Sequence, residues 1–149
     1  MPKRVNLLLV PSQNFLGFSA GLKSIRGETQ ITFIVDTGSP ETIIPFQKAK
    51  ELNLPLNDLK TDEDISLLGG KYKSYKLPKK IQFNCLYEDG SVMTKEFSPL
   101  VVQPISRKKD KEDKTILTEM LMGLDFLRET GLILHCEMKK DIAYLGEVD

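Results

Sequence analysis

The sequence predicts a mainly β, single-domain fold with one or two short helices, and three observations predict it. Runs rich in Val, Ile, Phe, Tyr and Thr recur along the chain, each bounded by turn residues, which is the pattern of strands and hairpins. Helical spacing is confined to two short windows, one from Pro45 to Leu52 and one around Phe126. At 149 residues the chain has the length of one domain, with enough residues for a single core.

Taken in order, Asn6 to Val10 reads as a first strand, and Phe15 to Ile25 with Thr29 to Val35 as a hairpin turning across Arg26-Gly27-Glu28. Pro45 then opens a short amphipathic helix to Leu52, with Phe46, Ala49 and Leu52 on its packed face and Pro55 just beyond its end. Ile65 to Tyr72 is a strand interrupted by Gly69-Gly70, the mark of a hairpin whose tip must bend. Ile81 to Tyr87 and Val92 to Phe97 flank Glu88-Asp89-Gly90-Ser91 as another hairpin, and Leu100-Val101-Val102 follows as a strand. Arg107 to Lys114 mixes both signs of charge with no apolar residue, so it is expected to be a solvated loop. Asp125 is expected to cap a short helix from Phe126 to Glu129, stopped at Gly131. Leu132 to His135 and Ile142 to Leu145 complete the chain as a hairpin over Lys139-Lys140-Asp141.

The run Ile31 to Val35 ends abruptly at Asp36-Thr37-Gly38-Ser39-Pro40, so a strand delivers a carboxylate into a tight turn where glycine lets backbone approach closely. A bare Asp-Thr-Gly is common, and its context carries the weight. Thr42 is followed by Ile43-Ile44-Pro45, a glycine-bearing hairpin comes next, and Leu121-Met122-Gly123 places two apolar residues before a late glycine. In this order the chain resembles the retropepsin-like, retroviral-type aspartic proteases from about Ile31 to Leu145. The resemblance implies a closed β-barrel-like domain with a flap hairpin, active as a homodimer. Retroviral members usually pair an acid two positions after the first Gly with an Arg just after the later one. Here Pro40 and Leu124 occupy both places, so no unpaired charge is left behind, and the change bears on how the dimer is held.

Peptide hydrolysis by carboxylates needs one acid and one base around the same water, and a single Asp cannot be both. Two neighbouring carboxylates share one proton because like charges so close cannot both ionise. No second Asp-Thr-Gly or Asp-Ser-Gly follows, so the partner acid is expected from Asp36 of a second copy across a twofold axis. The resemblance assigns Asp36, Thr37, Gly38 and Ser39 to the catalytic turn, with Thr37 bonding across the axis. The Ser39 hydroxyl is expected to donate to the carboxylate and favour its ionised form. Leu121-Met122-Gly123 is expected to pass behind the turn and brace it. Leu68, Gly69 and Gly70 at the flap are the expected substrate-binding residues, closing over an extended peptide or protein segment. A silent dimer of the same fold that only binds protein segments is the alternative.

Composition excludes other classes. Lys plus Arg and Asp plus Glu are 21 each, so nothing global draws the chain to nucleic acid or an anionic membrane. A nucleic-acid surface from Lys71, Lys73, Lys76, Lys79 and Lys80 with Tyr72 and Tyr75 is the weaker rival. No run approaches the roughly 18 apolar residues of a membrane span, and the N-terminal segment lacks a signal-peptide pattern, so a cytoplasmic location is expected. Cys85 and Cys136 are far apart and His135 is the sole histidine, so neither a metal site nor a cofactor is expected. Both cysteines are expected reduced and partly buried, and a His135–Cys136 nucleophile is disfavoured because strand neighbours point to opposite faces.

Overall fold

The computed structural model describes residues 3–10, 15–55, 59–61, 63–67, 70–107 and 120–147. The described strands are β1 (Arg4–Asn6), β2 (Leu8–Val10), β3 (Phe15–Lys23), β4 (Glu28–Val35), β5 (Ile43–Pro45), β6 (Lys60–Thr61), β7 (Ile65–Leu67), β8 (Gly70–Lys76), β9 (Ile81–Leu86), β10 (Val92–Phe97), β11 (Leu100–Arg107), β12 (Leu121–Met122), β13 (Ile133–Glu137) and β14 (Ile142–Gly146). Among the described residues two short helices, α1 (Phe46–Glu51) and α2 (Leu124–Thr130), and one 3-10 turn, Met138–Lys140, accompany them. The expected mainly β class with short helices is therefore what the chain adopts. The closed barrel is not: among the described residues the large sheet is an open path, β10-β9-β3-β4-β12-β5-β11-β8-β6, with β2 beside β3 and β7 beside β8.

Asn6 to Val10 is not one strand. Leu7 is buried and donates its N–H to Ala143 O at 3.0 Å, which splits the run between two sheets. On one side β1 pairs with β14, and on the other β2 pairs with β3. The terminal β13–β14 hairpin accordingly has an internal partner that the sequence did not reveal, in a three-stranded sheet ordered β1-β14-β13. The strand begun at Leu100 also runs further than expected, to Arg107, so Arg107 belongs to a strand, while 108–114 of the charged run lie outside the described residues.

Five phenylalanines organise the main core. Phe18, Phe33, Phe83, Phe97 and Phe126 are all buried, and Phe126 of α2 lies 5.6 Å from the Phe18 ring and 5.2 Å from those of Phe83 and Phe97. Offset and edge-on pairs at such spacings add to the area each ring removes from water. One residue thus fixes α2 against β3, β9 and β10. A smaller core of Ile43, Tyr72, Leu100 and Val102, with Ile65, Leu67 and Leu121 packed on it, sits under the β7–β8 hairpin. It joins that hairpin to β5 and β12, the strands that flank the Asp36 turn.

Candidate active site

Asp36 follows the last residue of β4, where the chain arches over another strand. β12 lies parallel to β4, with Leu121 opposite Ile34 and Met122 opposite Val35, and antiparallel to β5, with Leu121 opposite Ile43. The turn from Asp36 to Thr42 therefore bridges two strands that have a third inserted between them. Its first residue and its middle are pinned to the chain passing beneath: Asp36 N–H donates to Met122 O at 3.0 Å, and Leu124 N–H to Ser39 O at 2.9 Å. The expected brace by Leu121-Met122-Gly123 is present in this form.

Gly123 is where the chain passes beneath the arch. A Cβ there would stand 2.5 Å from Glu41 O and 2.6 Å from Ser39 O, inside van der Waals contact with fixed backbone. Within the turn, Gly38 N–H donates to Asp36 Oδ1 at 2.9 Å and Ser39 N–H to Asp36 O at 3.0 Å. A Cβ on Gly38 would meet that same carboxylate oxygen at 3.2 Å. Asp36 is half-buried, and Thr37 and Gly38 are exposed, so the acid and its neighbours face outward from a tightly bonded base.

Two expected side-chain roles are corrected. Ser39 Oγ donates to Glu41 O at 2.8 Å and is not directed to the Asp36 carboxylate, because a serine in a turn bonds nearby backbone first. Asp125 does not cap α2: Gly123 holds the N-cap position without a side-chain bond, and Asp125 lies in the first turn. Its carboxylate accepts from Thr42 N–H at 3.1 Å, from Thr42 Oγ1 at 2.7 Å and from Phe126 N–H at 2.7 Å. Thr42, wholly buried, also receives Gly123 N–H on its hydroxyl at 3.0 Å. The sequence showed Thr42 as part of a pattern and gave no sign of this partner. The expected stop of the helix at Gly131 is met, with φ at 73°.

Of the expected flap residues, Leu68 and Gly69 lie outside the described residues. Gly70 opens β8 at φ 132°, a conformation that other residues rarely adopt, and pairs with Leu67 across the hairpin. The rival chemistries fare differently. Tyr72 is buried and Tyr75 O–H is bonded to Gln103 Oε1 at 3.0 Å, so no Tyr72 ring is free to stack on a base. His135 bonds Glu137 at 2.8 Å and stacks on Tyr144 at 4.6 Å, and the hydrogen bond holds the Glu137 carboxyl below its ordinary range. Cys136 is exposed rather than partly buried, while burial pushes the Cys85 thiol up to about 12, far from a thiolate. Among the described residues no three His, Cys, Asp or Glu side chains group to hold a metal, and no helix is long and apolar enough to cross a membrane.

The aspartyl protease family model matches residues 24–126, a span that starts before the acid-bearing strand and ends in α2. The chain belongs to the aspartyl protease family. A crystal structure of a retropepsin-like aspartic protease from Rickettsia conorii shares the fold of this aspartyl protease at a TM-score of 0.50 and 20% identity, covering 87% of this chain and 89% of that one. No curated protein matches this aspartyl protease.

Proposed function

We propose that this aspartyl protease is an endopeptidase acting as a homodimer, in which Asp36 of each copy supplies half of a proton-sharing dyad. The observation that carries the reading is the outward-facing Asp36 on a turn bonded to Met122 of β12 and to Leu124 at the start of α2, with a single Asp-Thr-Gly in the sequence. One carboxylate takes a proton from water while its neighbour protonates or polarises the peptide carbonyl, and the roles need two acids. Thr37, exposed beside Asp36, reaches the partner's turn across the axis. Substrate lies extended beneath the β7–β8 hairpin, with Leu68, Gly69 and Gly70 as its substrate-binding residues. The location we infer is the cytoplasm. The test is incubation with a mixed peptide library at several pH values: cleavage by wild type and none by Asp36→Asn supports the reading, and equal rates from both remove it.

The dimer surface we infer is the terminal hairpin. Ile133, Met138 and Ile142 are 53%, 58% and 40% exposed, and the outer side of β13 pairs with no other described strand. Deleting the last strand is a poor test, because β14 is the central strand of its sheet and Leu145 is fully buried. Subunit mixing is better. Equal amounts of wild type and Asp36→Asn, unfolded and refolded together, are expected to retain roughly one quarter of the activity shown by the same total amount of protein refolded as wild type alone, as random pairing of two-fold dimers requires. Retention of one half would mean each chain works alone.

The engagement of Ser39 with Glu41 changes the expected pH behaviour. Ser39→Ala removes no donor to the dyad, so its bell-shaped rate profile is expected to keep its position on the pH axis. A shift of the acid limb to higher pH in that variant would show that the hydroxyl turns to the carboxylate in the working dimer.

A further inference from the structure

We propose that Thr42 and Asp125 form a lock that fixes the Asp36 turn onto β12, and that both are positioning residues for the catalytic carboxylate. The catalytic part rests on the endopeptidase reading, whereas the lock itself is a matter of geometry. Every polar atom of Thr42 is engaged at the seam. Its N–H and hydroxyl donate to the two oxygens of Asp125 at 3.1 and 2.7 Å, its hydroxyl accepts Gly123 N–H at 3.0 Å, and its carbonyl accepts Leu100 N–H at 2.9 Å. Thr42 therefore ties the far end of the arch to the inserted strand, to α2 and to β11 at once.

The carboxylate supplies what a neutral acceptor could not. Asp125 Oδ1 takes two donors, Thr42 Oγ1 and Phe126 N–H, while Oδ2 takes Thr42 N–H. Bonds to an ionised acceptor are shorter and stronger than neutral ones, and they hold direction as well as distance. Phe126, next in the chain, is fully buried in the aromatic core. Rigidity thus passes from the ring cluster to α2, from Asp125 to Thr42, and so to a turn whose first residue is the acid. A β-branched apolar residue would fill the volume at Thr42 as well. The hydroxyl is what an apolar residue could not supply, since without it Gly123 N–H and one Asp125 oxygen lose their shared partner.

The test compares Thr42→Val, Thr42→Ser and Asp125→Asn with wild type, all as the full chain. Native-state hydrogen exchange is read at the amides of Asp36 and Leu124, which bond across the seam, and of Gly123, against the amides of β3 and β9. In Thr42→Val the three seam amides are expected to exchange at least about tenfold faster with the β3 and β9 amides unchanged, and Thr42→Ser to stay near wild type. Asp125→Asn is expected to fall between, since its amide oxygen can keep two donors while its NH2 group meets Thr42 N–H donor to donor. It carries the comparison alone if Thr42→Val does not fold. In parallel, kcat per titrated active site is expected to fall about tenfold in Thr42→Val, with KM within about twofold and recovery in Thr42→Ser. The limbs of its pH profile should also move together as coupling between the carboxylates weakens. Uniform acceleration of all amides, or none, overturns the lock. Local loosening with unchanged kcat per site and unchanged limbs overturns the positioning role. A wild type that cuts nothing, with seam amides still loosened selectively, removes the endopeptidase reading and the positioning role with it, and leaves the lock standing.

Discussion

Asp36→Asn is expected to lower peptide cleavage by at least about 10³-fold while the protein folds as before. Both parts follow from the turn. The amide can neither accept a proton from the attacking water nor share one with its twin, so both halves of the dyad are lost in a symmetric dimer. The turn itself loses nothing: Gly38 N–H needs an acceptor at Oδ1, and the side-chain oxygen of asparagine can occupy that place. Where two carboxylates face each other, removing their charge also removes repulsion, so the melting temperature is expected to stay or rise. Cleavage rates with active-site titration, and thermal melts on the same samples, check both halves. A variant that unfolds would show that the carboxylate holds the turn, and one that cuts at the wild-type rate would place the chemistry elsewhere.

Gly123→Ala is expected to cost about 3 kcal/mol of stability and most of the activity. The two nearest atoms to the added methyl are carbonyl oxygens of the arch, Glu41 O at 2.5 Å and Ser39 O at 2.6 Å, so no side chain can rotate away to make room. Either the arch rises or β12 drops. Each movement strains bonds already made across the seam, Leu124 N–H to Ser39 O at 2.9 Å and Gly123 N–H to Thr42 Oγ1 at 3.0 Å. Gly146→Ala is the control, since its methyl would meet only the Tyr144 ring, at 3.4 Å. Denaturant melts of both variants measure the difference. Equal midpoints would mean that the arch yields at no cost and that glycine is not required beneath it.

What the sequence made legible was local or patterned. The β3–β4 hairpin, the acid at its end, the short helix after Pro45 and the glycine stop at Gly131 all rest on residues that fix their own backbone. The brace at Leu121-Met122-Gly123 was legible through the family resemblance, whose pattern places two apolar residues before a late glycine. The remainder depended on partners distant in the chain. Leu7 divides a uniform apolar run only because Ala143 takes its amide. Pro104 argues against a long strand by the usual rule, yet β11 continues past it through a register shift between Pro104 and Ser106. Asp125 has the look of a helix cap, and its partner Thr42 lies 83 residues away, beyond any local signal. The Ser39 hydroxyl went to a carbonyl of its own turn, Glu41 O, and not to the Asp36 carboxylate.

The inserted strand also sets a clock. A chain made from its amino end carries the acid early and the brace late, since Asp36 N–H has its acceptor on Met122 and the arch has its floor at Gly123. Pairing between segments so far apart waits for the loop between them to close, and such contacts form slowly. During synthesis the aspartate therefore stands on an unset loop, beside a β5 strand that has no β12 to lie against. The turn that carries the acid is in this way expected to take its set shape only once the segment from Leu121 to Leu124 has been made.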